Sequence, residues 1–396
     1  MTRKMDLSGR SWSPTTTVVV WVLVVALELW MTLRFLREEF TDLLGPTGWF
    51  AGDGERTLHA TRVWLEGGQP YDVFGFLYAP VALVFSAPFA ALGDDLAEKI
   101  WLAIGVGLIV TCTFLATRGV AWWGRVLAIT GVLIFHATVG DYLLANTTMV
   151  LVAGMFFVIR GESVRSGVLL GVLTAAFPKP MLIPFLLWAL VWRPRPLAGV
   201  AIGGAAATVL GLVVAGIGLH LTFVDTLVHG GGITVRFAGN YGLSLVSPAL
   251  AAVVAVFVMV ALSVVLVRRG PIVGLVWALA GGILVSPYAP MYSGLPYVLG
   301  VPAVYAIAPS LAIGYVLTAV LAEQATPLSA VILLFAALLV PYRVDRRGTP
   351  PIWPYLERAI GRRREFGATS RSGPAGPSPA PPETPPHELR SSESRG

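Results

Sequence analysis

Asp53 is the residue of this chain best placed to act as a base. It lies in a polar stretch, residues 36–78, that follows the first long apolar run. Asp53-Gly-Glu-Arg begins a series of short motifs there, continued by Gly67-Gly-Gln-Pro-Tyr71 and Leu77-Tyr-Ala-Pro80. Seven carboxylates (Glu38, Glu39, Asp42, Asp53, Glu55, Glu66, Asp72) face three arginines (Arg37, Arg56, Arg62) in this stretch. A carboxylate of fixed direction at the membrane–water boundary can take a proton from a hydroxyl substrate. The periodicity predicts a short helix over 55–66, with Ala60, Val63, Trp64 and Gly67 on one face and an end at Gly67-Gly68. Asp53 then falls at or just before the N-cap. Capping alone would account for an isolated aspartate. The two roles are compatible, because a cap position also fixes the carboxylate's direction.

Lys179 is the second residue with chemistry to offer. It is one of three lysines in the chain and stands between Pro178 and Pro180, inside the apolar run 164–192. A cation there is costly unless it meets a polar cavity or an anion, although a lysine can also snorkel to the interface. A phosphate suits its point charge. Arg236 is the alternative phosphate partner, or a contact for lipid headgroups. It sits between His229-Gly-Gly-Gly232 and Gly239-Asn-Tyr-Gly-Leu-Ser244. Asp141 and Asn146 border the expected cavity, with Tyr71, Tyr78, His229, Asn240 and Tyr292 as further lining. Glu28, in the first helix, either pairs with a cation or turns inward. His136, His220 and His229 show no ligand spacing, so no metal and no cofactor is expected.

The elements that must hold these residues are membrane helices. The chain has 396 residues, 56% of them hydrophobic, and a mean hydropathy of +0.75. Its apolar runs lack the alternation of a barrel and approach the roughly 20 residues that a helix needs to cross a bilayer. The expectation is an all-α polytopic protein with about 10–12 transmembrane segments. Runs at about 79–93, 98–117, 120–137, 146–160, 164–192, 196–218, 248–267, 271–288, 294–308, 310–323 and 326–341 follow the polar loop. The 164–192 run is too long for one crossing, and Pro178-Lys-Pro180 predicts two half-length helices meeting at an outward tip. The run 79–93 is either re-entrant or places Arg118 and Arg125 against the positive-inside rule.

Charge supplies the orientation. The net +6 comes with basic clusters near residues 160–165, 193–195, 268–269 and 343–347, an acidic first loop, and a tail holding ten Arg against six Asp or Glu from Arg343 onward. That is the distribution of a membrane protein with both termini inside, and it gives no reason to invoke nucleic acid. The expected organisation is a cytoplasmic N-terminus over 1–15, a membrane domain over 16–342, and a Pro-, Arg- and Ser-rich disordered tail over 343–396. The lone Cys112 excludes an intrachain disulfide.

In order and spacing, these motifs resemble glycosyltransferase family 87. The resemblance runs from Asp53, Gly67-Gly-Gln-Pro-Tyr71 and Leu77-Tyr-Ala-Pro80 through Leu144-Ala-Asn146, Phe177-Pro-Lys-Pro180 with Pro184, Asn240-Tyr-Gly-Leu-Ser244 and Ser286-Pro287. It covers roughly residues 17–342. It implies a GT-C-like membrane enzyme of the bacterial plasma membrane, with its active site on the outer face. Its donor would be a polyprenyl-phosphate sugar and its acceptor an envelope glycolipid or polysaccharide. The family's loop aspartate corresponds to Asp53, which would be the general base of an inverting transfer. Two positions depart: Tyr78-Ala-Pro80 replaces the family's Tyr-Pro-Pro, and Met291-Tyr292-Ser293 stands where many members carry a histidine pair. The second departure bears on the donor sugar, for which mannose is the first expectation and arabinofuranose the alternative. From a different class, a transporter or lipid-carrier flippase also uses broken helices and a buried lysine.

Overall fold

The structure, a computed structural model, describes residues 14–39, 52–118, 122–229, 242–299 and 326–339. These form helices and short 3-10 turns, with no strand among the described residues. The N-terminal segment before residue 14 and the tail over 343–396 lie outside them, as do Arg236 and Asn240.

Helix α1 covers Pro14–Arg34, α2 Asp53–Leu65, α3 Pro80–Ala90 and α4 Asp94–Ala116. They are followed by α5 Trp122–Leu133, α6 His136–Leu143, α7 Thr148–Arg160 and α8 Arg165–Ala176. Next come α9 Ile183–Trp192, α10 Pro194–His229, α11 Pro248–Arg268, α12 Pro271–Val285 and α13 Thr326–Leu338. Among the described residues, α4, α10 and α11 are long and apolar enough to cross a bilayer, and α5 with α6 makes a pair bent by 49°. Helices α3, α7, α8, α9, α12 and α13 are apolar but shorter, 10–17 residues. Proline sets many of the starts: Pro80, Pro194, Pro248 and Pro271 all open helices, where the missing N–H costs nothing.

Three segments compare directly with their sequence expectation. The run 79–93 forms only α3, 11 residues, which at 1.5 Å per residue is roughly 16 Å and too short to cross the ~30 Å hydrocarbon core. The stretch 219–229, which lies beyond the apolar run 196–218 read from the sequence, continues α10 as helix past a break at Gly216 (φ 79°). His220 accounts for part of that continuation, since its Nδ1 lies 2.9 Å from Gly216 O. The 164–192 run divides as expected into α8 and α9, and Lys179 at the junction is buried within the bundle.

Nearly every residue of α12 is buried, which explains a helix apolar on all sides. It packs against α9, α11 and α13. The Trp188 indole of α9 donates to Pro271 O at 2.8 Å and fixes the height of one helix on the other. Helices α8 and α10 approach backbone to backbone. A Cβ placed on Gly167 would stand 1.8 Å from Pro196 O, and one on Gly199 the same distance from Val164 O. Lipid provides little hydrophobic drive for helices to associate, so close van der Waals approach through small residues carries this contact. Glu28 turns inward against α5, where a Cβ on Gly131 would lie 2.6 Å from its Oε1.

The α8–α10 contact should therefore tolerate no side chain. Gly199→Val is expected to lower stability by about 2–3 kcal/mol through overpacking, read as a fall in the detergent unfolding midpoint. An unchanged midpoint would show that the two helices are not held this closely.

Candidate functional site

Four segments meet at one end of the bundle: the start of α2, the α6–α7 turn, the α8–α9 break and the 3-10 helix Met291–Leu299. Helix α2 begins at Asp53 itself, two residues earlier than the periodicity predicts, and Gly52 is its N-cap with no side-chain cap bond. The Asp53 carboxylate thus does not cap the helix. The Asp53 and Gly54 amides instead both donate to Leu144 O, each at 3.1 Å, which ties the start of α2 to the α6–α7 turn. Gly54 permits that approach, because a Cβ there would stand 2.5 Å from the Ala145 Cβ. Ala145 is itself in the left-handed region, at φ 46°, a strained conformation that turns the chain so that Asn146 faces Asp53.

The far end of α2 forms as the sequence implies. Gly68 N–H reaches Val63 O at 2.8 Å and Gly67 N–H reaches Trp64 O at 3.0 Å, with Gly67 at φ 84°, which is the Schellman pattern. The buried face differs from expectation. It holds Thr57, Leu58, Ala60 and Thr61, while Val63 and Trp64 are half-buried. Buried threonines are acceptable there because Thr57 and Thr61 donate to the Asp53 and Thr57 carbonyls, each at 2.7 Å. Arg62 joins α2 to its neighbours through Ala90 O at 3.3 Å and through a bidentate pair with Asp94.

Asn146 is the hub of the site. Its Nδ2 donates to Asp53 Oδ2. Its Oδ1 accepts from Lys179 Nζ at 2.6 Å, Thr147 N at 2.7 Å and Thr148 Oγ1 at 3.0 Å. Three donors on one side and a carboxylate on the other assign the amide orientation. Trp101 holds the same residue from behind, donating to Asn146 O at 3.1 Å. Tyr292 hydroxyl donates to Asp53 Oδ2 at 3.1 Å, so one carboxylate oxygen is held twice. The other oxygen lies 3.6 Å from Arg56, and the Asp53 side chain keeps 24% of its surface exposed.

Lys179 fills the floor of the site. Its ammonium donates to Asn146 Oδ1 and, at 3.1 Å, to Thr148 Oγ1, and stands 4.7 Å from the centre of the Tyr292 ring. Two protons are bonded and the third side faces an aromatic cloud. Asp141, fully buried, accepts from the amides of Thr148 (3.1 Å) and Met149 (3.0 Å). It acts as a distant cap on α7 and places a second negative charge near Lys179.

Asp53, Asn146, Lys179, Asp141 and Tyr292 are therefore brought together. Tyr78 packs edge-on to Phe177 of the α8–α9 break, ring centres 5.0 Å apart, within the electrostatic reach of Asp53. Tyr71 stands one step out, donating to Tyr78 O at 2.9 Å and packing on Phe76 and Phe223. His229 is placed elsewhere, exposed at the end of α10 and paired with Asp225 at 2.8 Å. Thr148, Tyr288 and Arg56 were not foreseen. Tyr288 lies within the electrostatic reach of Asp53. The glycines on both sides of Asp53 and the Thr-Thr after Asn146 were the sequence signals available for the packing. Among the described residues no group of three or more His, Cys, Asp or Glu comes together as a metal site.

Removing a buried partner should be expensive here. Asp141→Ala leaves two amides unpaired and takes a carboxylate from a buried ammonium, with an expected cost of about 3–5 kcal/mol, read as loss of folded protein in detergent unfolding. A cost near zero would mean that water already solvates this network.

No known family model, curated protein or solved structure matches this chain.

Proposed function

We propose that this protein is an integral-membrane, GT-C-like glycosyltransferase. It moves a sugar from a polyprenyl-phosphate donor to a hydroxyl of an envelope glycolipid or polysaccharide, at the outer face of the bacterial plasma membrane. The observation that carries this reading is the Asp53 carboxylate, clamped on one oxygen by Asn146 and Tyr292, with the other facing the half-exposed Arg56 and part of the side chain exposed. A base must keep its direction yet meet a substrate, and this carboxylate does both. The polar loop that holds it belongs to a chain whose helices are apolar enough for a membrane. Nucleotide sugars are cytoplasmic, so an outward site calls for a lipid-carried donor.

One departure from the family pattern falls within the site and bears on the donor sugar. Asp53 and Tyr292 are 239 positions apart, yet they share a hydrogen bond. Tyr292 occupies the region where many family members carry histidines, so the departure falls on a residue that touches the candidate base. Mannose is the donor sugar favoured by the resemblance, and arabinofuranose is the other.

In the reaction, the acceptor oxygen attacks the anomeric carbon as its proton passes to Asp53. The bond from that carbon to the phosphate oxygen breaks, and its electron pair leaves with the polyprenyl phosphate. Attack from the opposite face inverts the anomeric centre. Asn146 and Tyr292 hold the base still, and Lys179 holds Asn146. Lys179 thereby becomes a positioning residue in this reading, in place of the phosphate partner expected from the sequence.

Transfer assays with labelled polyprenyl-phosphate-mannose and polyprenyl-phosphate-arabinofuranose test the proposal. Asp53→Asn is expected to insert normally and lose about 10²–10⁴-fold in rate. Full activity in that variant would remove Asp53 as the base, and no transfer by folded wild type given a competent acceptor pool would point to a carrier or transporter. Lys179→Met should lower kcat and leave the donor KM unchanged. A raised donor KM alone would return Lys179 to the phosphate.

A further inference from the structure

Among the described residues, a cation available for an anion at this site is Arg56. Lys179 spends its ammonium on Asn146, Thr148 and the Tyr292 ring. Arg56 stands three residues along α2 from Asp53, with 45% of its side chain exposed. Its described contacts are the 3.6 Å approach to Asp53 Oδ1 and the Phe74 ring, 6.0 Å from the guanidinium carbon. An exposed pair at that distance holds an arginine weakly. Among the described residues no hydrogen bond uses its planar set of five donors, a set that matches a phosphate in bidentate fashion.

The local backbone is shaped around this side chain. Phe76 N–H closes on Val73 O at 3.1 Å, and Gly75 at the third position has φ 81°, the requirement of a type II turn. The guanidinium lies directly over Gly75, since a Cβ there would stand 3.2 Å from Arg56 Cδ and 3.3 Å from Nη1. The same turn presents Phe74, 71% exposed. A charged fork and a bare aromatic ring thus emerge side by side, within reach of the candidate base. An amphiphile with an anionic head and an apolar tail has that pair of properties.

The geometry points to Arg56, seated on the Phe74–Gly75 turn, as the docking point for the phosphate group of a substrate. Phe74 meets the apolar chain that such a phosphate carries. The inference rests on the transferase reading and assigns its leaving-group site. Arg56 hydrogen-bonds the oxygen that receives the electron pair when the sugar–phosphate bond breaks. It also links binding to catalysis: a phosphate that takes over Arg56 draws it from Asp53 Oδ1 and frees that oxygen for the acceptor hydroxyl.

Binding without turnover separates this inference from the function it rests on. Wild type, Asp53→Asn, Arg56→Gln and Arg56→Lys would be placed in nanodiscs and titrated with polyprenyl phosphate, uncharged polyprenol and inorganic phosphate. Asp53→Asn should bind polyprenyl phosphate at least as well as wild type. Arg56→Gln should bind it about tenfold or more weakly and bind polyprenol unchanged, with Arg56→Lys between them, because lysine keeps the charge and loses the fork. Wild-type binding by Arg56→Gln, in a variant with an unchanged unfolding midpoint, overturns the role of Arg56 and leaves the transferase reading standing. Arg56-dependent binding of inorganic phosphate with none of polyprenyl phosphate overturns the lipid source. Failure of wild type both to bind polyprenyl phosphate and to transfer sugar overturns the transferase reading itself.

Discussion

The site depends on one carboxamide held between a carboxylate and an ammonium. Asn146 reads Asp53 with its nitrogen and Lys179 with its oxygen, and neither contact survives a flip of the amide. A direct Asp53–Lys179 ion pair would satisfy the charges equally well and would fold both groups into the floor. The intervening asparagine keeps the lysine buried and leaves the aspartate at the surface. Charge balance and accessibility are thus met by different atoms of one network.

That arrangement is only as rigid as the backbone beneath it. Leu144 O receives two amides from the start of α2, and Ala145 adopts a left-handed conformation in the same turn. The short helices serve the same end. The α8–α9 break puts Lys179 inside the bundle, and α7 begins where Asp141 can accept its first amides. Broken and half-length helices expose backbone polar groups that a bilayer would penalise. Here Thr148 and Met149 donate to a carboxylate, so the freed groups are satisfied by the residues that build the site.

A buried lysine is not by itself a sign of chemistry, since charge networks also occur for structural reasons. The difference here lies in the gradient across the network. Asp141 is fully buried, Lys179 nearly so, Asp53 is partly exposed and Arg56 about half-exposed. Charge alternates in sign along that path from the interior to the surface. The network ends in a carboxylate and an arginine that face each other at 3.6 Å, each partly exposed.

The sequence by itself determined the helical, membrane class, because hydropathy and the lack of alternation are local properties that need no partner. It also determined the Gly67-Gly68 helix end and the break at Pro178-Lys-Pro180, where glycine conformation and the missing proline donor act within a few residues. Singling out Asp53, Asn146, Lys179 and Tyr292 was possible because polar residues in an apolar chain are conspicuous. Their roles were not legible. Whether Asp53 caps its helix or faces Asn146 depends on Leu144, 91 positions away, and whether Lys179 is free or spent depends on Thr148 and Tyr292. Likewise His229 looked equivalent to the others until helix α10 carried it to an exposed pair with Asp225. Hydrogen-bond partners are chosen by distance and direction in space, and only tertiary packing supplies those.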